Sequence, residues 1–237
     1  NSIMMHSDAS PIKAFYLFNI ADKHNPFPDM IPTNKANVAV MKWNIANSDL
    51  DVHLRTLKIL GHDITDRFGS VIFTNQGVRG PLIARKNGEW IRSFRNLFDA
   101  NNVGLVGPTL SCEVSPHVQT HMFGLQTKLI PTILTQMRQN ITTQFSSWPE
   151  LIAALEVGLT GVVMRAGYNV SAFFYNNRGY PYFQSGHCWK YTGPPNRFDK
   201  NPAGCGSAPE DLVFLKRDDA HARHDLQHLH PPKLAVA

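Results

Sequence analysis

Val103–Leu125, VGLVGPTLSCEVSPHVQTHMFGL, is the stretch on which the reading of this chain turns. It starts with a short apolar run, Val103-Gly-Leu-Val106, of the length a buried strand needs. Gly107-Pro108 interrupts the run, and Ser111–Pro116 reads as a tight loop. From His117 onward Val118, Met122, Leu125, Leu129, Ile133 and Met137 recur at spacings of three and four, which predicts a helix opening at His117. The turn between strand and helix carries Thr109, Ser111, Glu113, Ser115, His117 and Gln119. In α/β folds ligands settle at the carboxyl ends of strands, where turns feed helix N-termini. The other reading is an ordinary strand–helix connection whose polar residues only cap the helix, and topology alone does not separate the two.

Composition narrows the field. At 237 residues the chain has room for one substantial domain, or a domain with a small appendage. Its 43% apolar and 17% charged residues are those of a folded globular protein. A net charge of +5 and a pI near 9.2 are mildly basic. Lys and Arg are scattered, so this is weak attraction to anionic ligands rather than a nucleic-acid footprint, and no nucleic-acid partner is expected. No apolar run approaches about 18 residues, so no membrane span is expected. The opening Asn-Ser-Ile-Met-Met lacks the order of a signal peptide. Location stays open: the cytoplasm, or the Golgi lumen if the sequence is a piece of a longer anchored chain. Cys112, Cys188 and Cys205 are too few for a disulfide framework, although a Cys188–Cys205 bridge is open in an oxidising compartment. The sequons at Asn140 and Asn169 read as chance.

Working outward, Ile12–Ile20 reads as a central strand and Asn37–Trp43 as a second. Leu54, Leu57, Leu60, Ile64 and Phe68 supply a helical stripe, with Gly61 weakening its middle. Ser70–Thr74 is a third strand, and Trp90–Phe98 a short helix. Ser147-Trp-Pro149-Glu150 has the capping-box form of a helix start, and Gly167 is placed to end that helix near Ala166. Tyr168–Tyr175 and Leu212–Leu215 read as strands on either side of a long aromatic-rich loop, 176–210. Residues 1–11 and 218–237 read as flexible termini, the latter with a solvated run of histidines. Strands alternating with helices imply a mostly parallel central sheet with helices on both faces, one domain over 12–217.

Glu156 is the most informative single position. On a regular helix its neighbours four before and three and seven after are Ile152, Leu159 and Val163. A carboxylate on such a face is costly to bury unless paired or functional, and desolvation suits it to proton transfer. A salt bridge to Arg165, or to another base at the edge of the stripe, is the competing explanation. Asn75-Gln-Gly77-Val-Arg79-Gly80-Pro81 follows a strand and lets backbone approach a ligand, or is a plain turn. Asp49 and Asp51 stand at a helix mouth, where capping is the default for at least one. Tyr180, Tyr182, Phe183, His187, Trp189 and Tyr191 suit the flat faces of sugars, or pack the loop against the body.

Taken together, these residues resemble a family: the GT-A type glycosyltransferases, and within them small proteins related to rhamnan-synthesis enzymes. The family's N-x-G-V-x-G-P turn is matched by Asn75–Pro81, and its G-x-T-x-x-C followed by H-V-Q-S by Gly107–Cys112 and His117–Thr120. Its E-V-G-L-S helix and A-G-Y-N-I strand are matched by Glu156–Thr160 and Ala166–Val170, and its V-F-I-K by Val213–Lys216. Of its N-x-G-x-D-x-G-A segment, Asn47, Asp49 and Asp51 remain without the glycines.

The resemblance implies a nucleotide-sugar donor and a glycan or glycoconjugate acceptor. The donor would be lined by Asp49, Asp51, Asn75, Gly77 and Arg79, with Arg79 meeting phosphate charge. Thr109, Tyr182 and Trp189 fall to the acceptor. Glu156 is the expected base, with His117 as the alternative because imidazole titrates near neutrality, and Gln119 beside it. His117 and Gln119 are expected at a helix N-terminus able to receive the charge of the departing diphosphate. Asn75-Gln76-Gly77 stands where many such enzymes carry an Asp-x-Asp metal motif, so no metal ligand is assigned and a need for manganese or magnesium stays open. The expected donor pocket lies at the carboxyl ends of the strands closing at Trp43, Asn75 and Val106, with Asn75 and His117 on one side of the molecule. A catalytically silent sugar- or nucleotide-sugar-binding domain of the same fold is the alternative.

Overall fold

The computed structural model describes residues 15–21, 31, 34–43, 48–75, 78–79, 89–111, 115–142, 145–173, 182–183 and 215–216. In chain order the first elements are β1 (Tyr16–Ala21), β2 (Val38–Trp43), α1 (Asp49–Arg67), β3 (Ser70–Thr74), β4 (Val78–Arg79) and α2 (Glu89–Asp99). Four strands come next: β5 (Val103–Gly107), β6 (Leu110–Ser111), β7 (His117–Val118) and β8 (Met122–Gln126). A 3₁₀ turn (Thr127–Leu129), α3 (Ile130–Gln136) and α4 (Arg138–Thr142) follow. Then come α5 (Trp148–Leu151), a π-helical turn (Ile152–Val157), α6 (Gly158–Arg165), β9 (Asn169–Ala172) and β10 (Leu215–Lys216). The fold is mixed α/β.

The helix expected to open at His117 is not there; the helical region begins only at Thr127. Residues 117–126 are two strands, and the three-and-four spacing misled because β8 is buried on both faces. Phe123 and Leu125 enter the core beneath α1, α3 and α6, while Met122 points to the cluster under α2. A strand covered on both sides is apolar at successive positions, which mimics part of a helical stripe. Leu129, Ile133 and Met137 do belong to the helical stretch and are buried in the larger cluster.

The main sheet has the order β3-β8-β5-β9. β8 runs antiparallel to both β3 and β5, and β5 and β9 pair in parallel, so β3, β5 and β9 point one way, β8 the other, and the sheet is mixed. The kind of connection decides this. From β5 the chain returns to β8 through the β6–β7 ribbon, whose described residues hold no helix to carry a parallel crossover, whereas β8 to β9 spans the whole α3–α6 region. β1 and β2 form a separate parallel pair, so the stretch read as a central strand is described from Tyr16 and pairs with β2 in a two-stranded sheet. The Asn19 side-chain carbonyl accepts from Trp43 Nε1 at 2.9 Å and from Thr56 Oγ1 at 3.1 Å, tying that pair to α1.

Helices cover both faces of the main sheet. Phe94, Leu97 and Phe98 of α2 meet Val103, Val106 and Met122 on one side; Leu54 and Leu57 of α1, Ile133 of α3 and Val163 of α6 meet Phe73, Leu105 and Leu125 on the other. Two glycines set the approach distances. A Cβ at Gly124 of β8 would lie 2.8 Å from Phe94 and 2.9 Å from Phe98, so α2 sits on bare backbone there. A Cβ at Gly61 would lie 3.1 Å from Ile130, which gives the glycine in the middle of α1 a packing reason.

The helix signals read from Ser147 and Gly167 hold at both ends. Ser147 Oγ accepts from Glu150 N–H, and Glu150 accepts from the N–H and hydroxyl of Ser146. At the other end Gly167 has φ +84°, Gly167 N–H donates to Met164 and Tyr168 N–H to Val163. This is a Schellman closure, which needs a residue at positive φ. Among the described residues no helix is long and apolar enough to cross a membrane.

Gly124→Ala forces both phenylalanines of α2 off the sheet. It is expected to lower the unfolding free energy by about 1–3 kcal/mol, the usual cost of overpacking, measured by urea denaturation. An unchanged midpoint would mean that α2 is not seated as described.

Candidate functional site

Strand direction assembles the site. The registers Thr74↔Met122, Val106↔Gly124 and Gly107↔Ala172 put the carboxyl ends of β3, β5 and β9 at the edge from which β8 departs. Asn75, just past β3, donates its N–H to the carbonyl of His121, just before β8, at 3.0 Å. Asn75 and the segment after His117 therefore lie on one side of the molecule, as expected.

At that edge the chain forms the β6–β7 ribbon, with Leu110 opposite Val118 and Ser111 opposite His117. Side chains alternate along a strand, so Leu110 and Val118 share one face and Ser111 and His117 the other. Leu110 and Val118 enter the larger core cluster. Thr109 and Gln119 extend the polar face: Gln119 N–H donates to the Thr109 carbonyl at 3.3 Å, and the Thr109 hydroxyl donates to the Gln119 side-chain carbonyl. Thr109, Ser111 and His117 are all buried. His117 and Gln119 thus stand on a ribbon and not at a helix N-terminus, so the helix dipole expected there is absent.

Glu156 reaches this ribbon from the π-helical turn. Gly158 N–H donates to the Ala153 carbonyl five residues back, and Asn140 Nδ2 donates to the Ala154 carbonyl at 3.0 Å. One wide turn rotates the side chains after it relative to a regular helix. Glu156 then contacts His117 Nε2 through Oε1 at 3.2 Å. Its Oε2 accepts from both the N–H (3.3 Å) and the hydroxyl of Thr120. The Thr160 hydroxyl accepts from Val118 N–H at 3.0 Å, fastening α6 to the ribbon. His117, and not Arg165, is the ionic partner of Glu156 among the described residues.

The hydrogen bonds fix the charge state. His117 Nδ1 lies 2.7 Å from the carbonyl of Ser115, which can only accept, so Nδ1 carries a hydrogen. Nε2 faces a carboxylate oxygen, so a second proton lies between the two groups. Burial pushes the Glu156 carboxyl upward and is the largest single influence. The His117 and Thr120 hydrogen bonds and the His117 charge together outweigh it and hold the carboxyl below its ordinary value. Glu156 is therefore the more acidic partner, and a proton shared between Oε1 and Nε2 belongs to the ring.

The remaining expected residues are placed as follows. Asp49 and Asp51 lie in the first turn of α1, but Ser48 is the cap, its hydroxyl accepting from Asp51 N–H at 3.1 Å. Asp51 is buried, and its Oδ1 receives Arg55 Nε at 2.8 Å. Arg79 lies in β4, paired through its backbone with Leu215 of β10. Tyr182 packs against the cluster on the α2 side, and Phe183 is buried in the other cluster, so these two rings fasten their segment to the body. Gly77, Trp189, the Cys188–Cys205 pairing, the two termini and the rest of loop 176–210 lie outside the described residues. Among the described residues no group of three or more His, Cys, Asp or Glu could hold a metal ion.

Sequence reasoning missed Thr120, Thr160 and His53. The signal for the first two was the polar–apolar alternation Thr109-Leu110-Ser111 and His117-Val118-Gln119, which marks a ribbon whose turn residues face the helix behind it. His53 was hidden in the α1 stripe. Its ring lies 4.8 Å from Phe73 and 6.1 Å from Phe123, and both its nitrogens are buried without a partner among the described residues. Comparison of the chain with protein-family models, with curated proteins and with solved structures finds no match.

His53, buried, and Glu156, partly buried, each weaken the fold in acid. Burial pushes His53 from 6.5 down to about 4, so the unfolded chain takes up this proton first and stability falls as pH drops from 6.5 to 4. The full change is about 3 kcal/mol at 1.36 kcal/mol per pH unit. Glu156, held below 4.5, contributes stability that is present above that value and lost beneath it. In His53→Leu the loss between pH 6.5 and 4 is expected to vanish while the loss below 4.5 stays, read from unfolding free energies against pH. An unchanged profile would show that His53 is not neutral in the folded protein.

Proposed function

We propose that this protein transfers a sugar from a nucleotide-sugar donor to a hydroxyl of a glycan or other acceptor, with Glu156 as the base. The observation that carries the reading is the Glu156–His117 pair at the edge where β3, β5 and β9 end, beside Asn75. The segments behind the family resemblance, Asn75, Gly107–Ser111, His117–Thr120 and Glu156–Thr160, are remote in sequence and adjacent here.

The geometry favours Glu156 over His117 as the base. Both ring nitrogens of His117 are engaged, by Ser115 and by Glu156. On Glu156, Oε2 receives two donors from Thr120 and Oε1 only one from His117. A carboxylate oxygen accepts two, so Oε1 keeps a lone pair. The side chain is 14% exposed, enough for a hydroxyl to reach it. In the reaction the acceptor oxygen bonds to the anomeric carbon, the bond from that carbon to the diphosphate breaks, and the diphosphate leaves with its electron pair. The acceptor proton passes to Oε1, and the His117 charge stabilises the carboxylate until then. Gln119, oriented by Thr109, offers its amide hydrogens to a hydroxyl nearby. Asn75, just past β3, is the donor-side candidate that lies next to the turn carrying Thr120; Asp51 is bound to Arg55.

One observation favours a catalytically silent sugar- or nucleotide-sugar-binding domain instead: three donors converge on Glu156, as on a structural carboxylate. A thermal-shift series with nucleotides and nucleotide-sugars, with and without manganese, separates the readings when followed by turnover of each hit. Glu156→Gln is expected to cut turnover about a hundredfold to ten-thousandfold with donor affinity retained. Near-normal turnover would remove Glu156 from the reaction, and stabilisation without turnover would leave the silent domain.

A further inference from the structure

We propose that Thr120 is the positioning residue of the site, holding Glu156 so that Oε1 is turned to His117 and to the incoming hydroxyl. This rests on the reading of Glu156 as the base. Thr120 is itself located from both sides. The N–H of Gln119 before it is held by the Thr109 carbonyl, and the carbonyl of His121 after it by Asn75 N–H. Those partners lie just past the ends of β5 and β3, so the peptides on either side of Thr120 are held from the sheet as well as from the helical segment that carries Glu156.

From that fixed point Thr120 gives two donors to one oxygen, Oε2, by N–H and by hydroxyl. A carboxylate gripped at Oε2 cannot rotate about its last bond, and Oε1 is left with its single bond to His117. β-Branching restricts the Thr120 rotamer as well. The groups acting on Glu156 are His117 and Thr120, and no other charged or titratable group among the described residues contributes. The hydroxyl therefore has two separable effects: it aims the carboxylate, and it favours the ionised form.

The test compares Thr120→Val, which keeps the shape and removes the hydroxyl, with Thr120→Ser, which restores it, and Thr120→Ala as a second hydroxyl-free variant. The first readout is the ¹⁵N signal of the His117 ring and the ¹³C signal of the Glu156 carboxyl against pH, on protein without substrate. Losing a hydrogen bond to a charged group is expected to raise the pH at which the pair takes up its second proton by about one unit in Thr120→Val and Thr120→Ala. Thr120→Ser is expected to titrate as the parent. The second readout is the acid limb of kcat/KM for whichever nucleotide-sugar is turned over, which is expected to move upward by the same amount. Parent-like titration in Thr120→Val or Thr120→Ala would overturn the proposal, even if turnover is present. A shifted titration in a protein that turns over no nucleotide-sugar would uphold the positioning and sink the transferase reading.

Discussion

A carboxylate can be buried in a helix only if its lone pairs are met, because an unpaired charge in an apolar interior costs several kcal/mol. Glu156 sets that condition here, and much of the neighbouring structure satisfies it. The helical segment widens into a π turn, with the Ala154 carbonyl met by Asn140. The ribbon supplies His117, and the turn after it supplies Thr120. Thr160, one helical turn on from Glu156, ties the same ribbon back to α6 through Val118 N–H. Removing one partner of such a pair is more damaging than replacing both, because the remaining charge stays buried.

The sheet makes that arrangement rigid. β8 lies between β3 and β5 and is antiparallel to each, so the turn carrying Thr120 and His121 is anchored where both neighbours end. β8 tolerates this central position because each face is closed: by Phe94 and Phe98 over Gly124, and by the α1, α3 and α6 side chains around Phe123 and Leu125. His53 belongs to the same closure. Its ring packs on Phe73 and Phe123, and its two nitrogens find no partner among the described residues.

Local chemistry was legible in the sequence, and long-range pairing was not. Ser147 with Glu150 and the glycine at 167 announced the ends of one helical segment, because caps are set within a few residues. Glu156 stood out from its apolar neighbours, and His117 and Asn75 from their place after strands. The π turn left no mark, since it arises from the fit between helix and ribbon. The sequence offered Arg165 or another base as a partner for Glu156 and could not point to His117, because spacing along a helix is visible and a ribbon crossing behind it is not. Strand β8 was missed because the apolar positions from Val118 to Met137 fit a helix as well as a doubly covered strand followed by one. Only the alternation at residues 109–111 and 117–119 distinguished the two.

The account stands on His117 and Glu156 acting as one unit. The most direct measurement is a double-mutant cycle on unfolding free energy with His117→Asn, Glu156→Gln and the two combined. Each single change is expected to destabilise the fold, and the double variant is expected to lose less than their sum, leaving a coupling of about 0.5–3 kcal/mol. Strictly additive losses would contradict the account, because they would mean that the imidazole and the carboxylate do not hold each other in the folded protein.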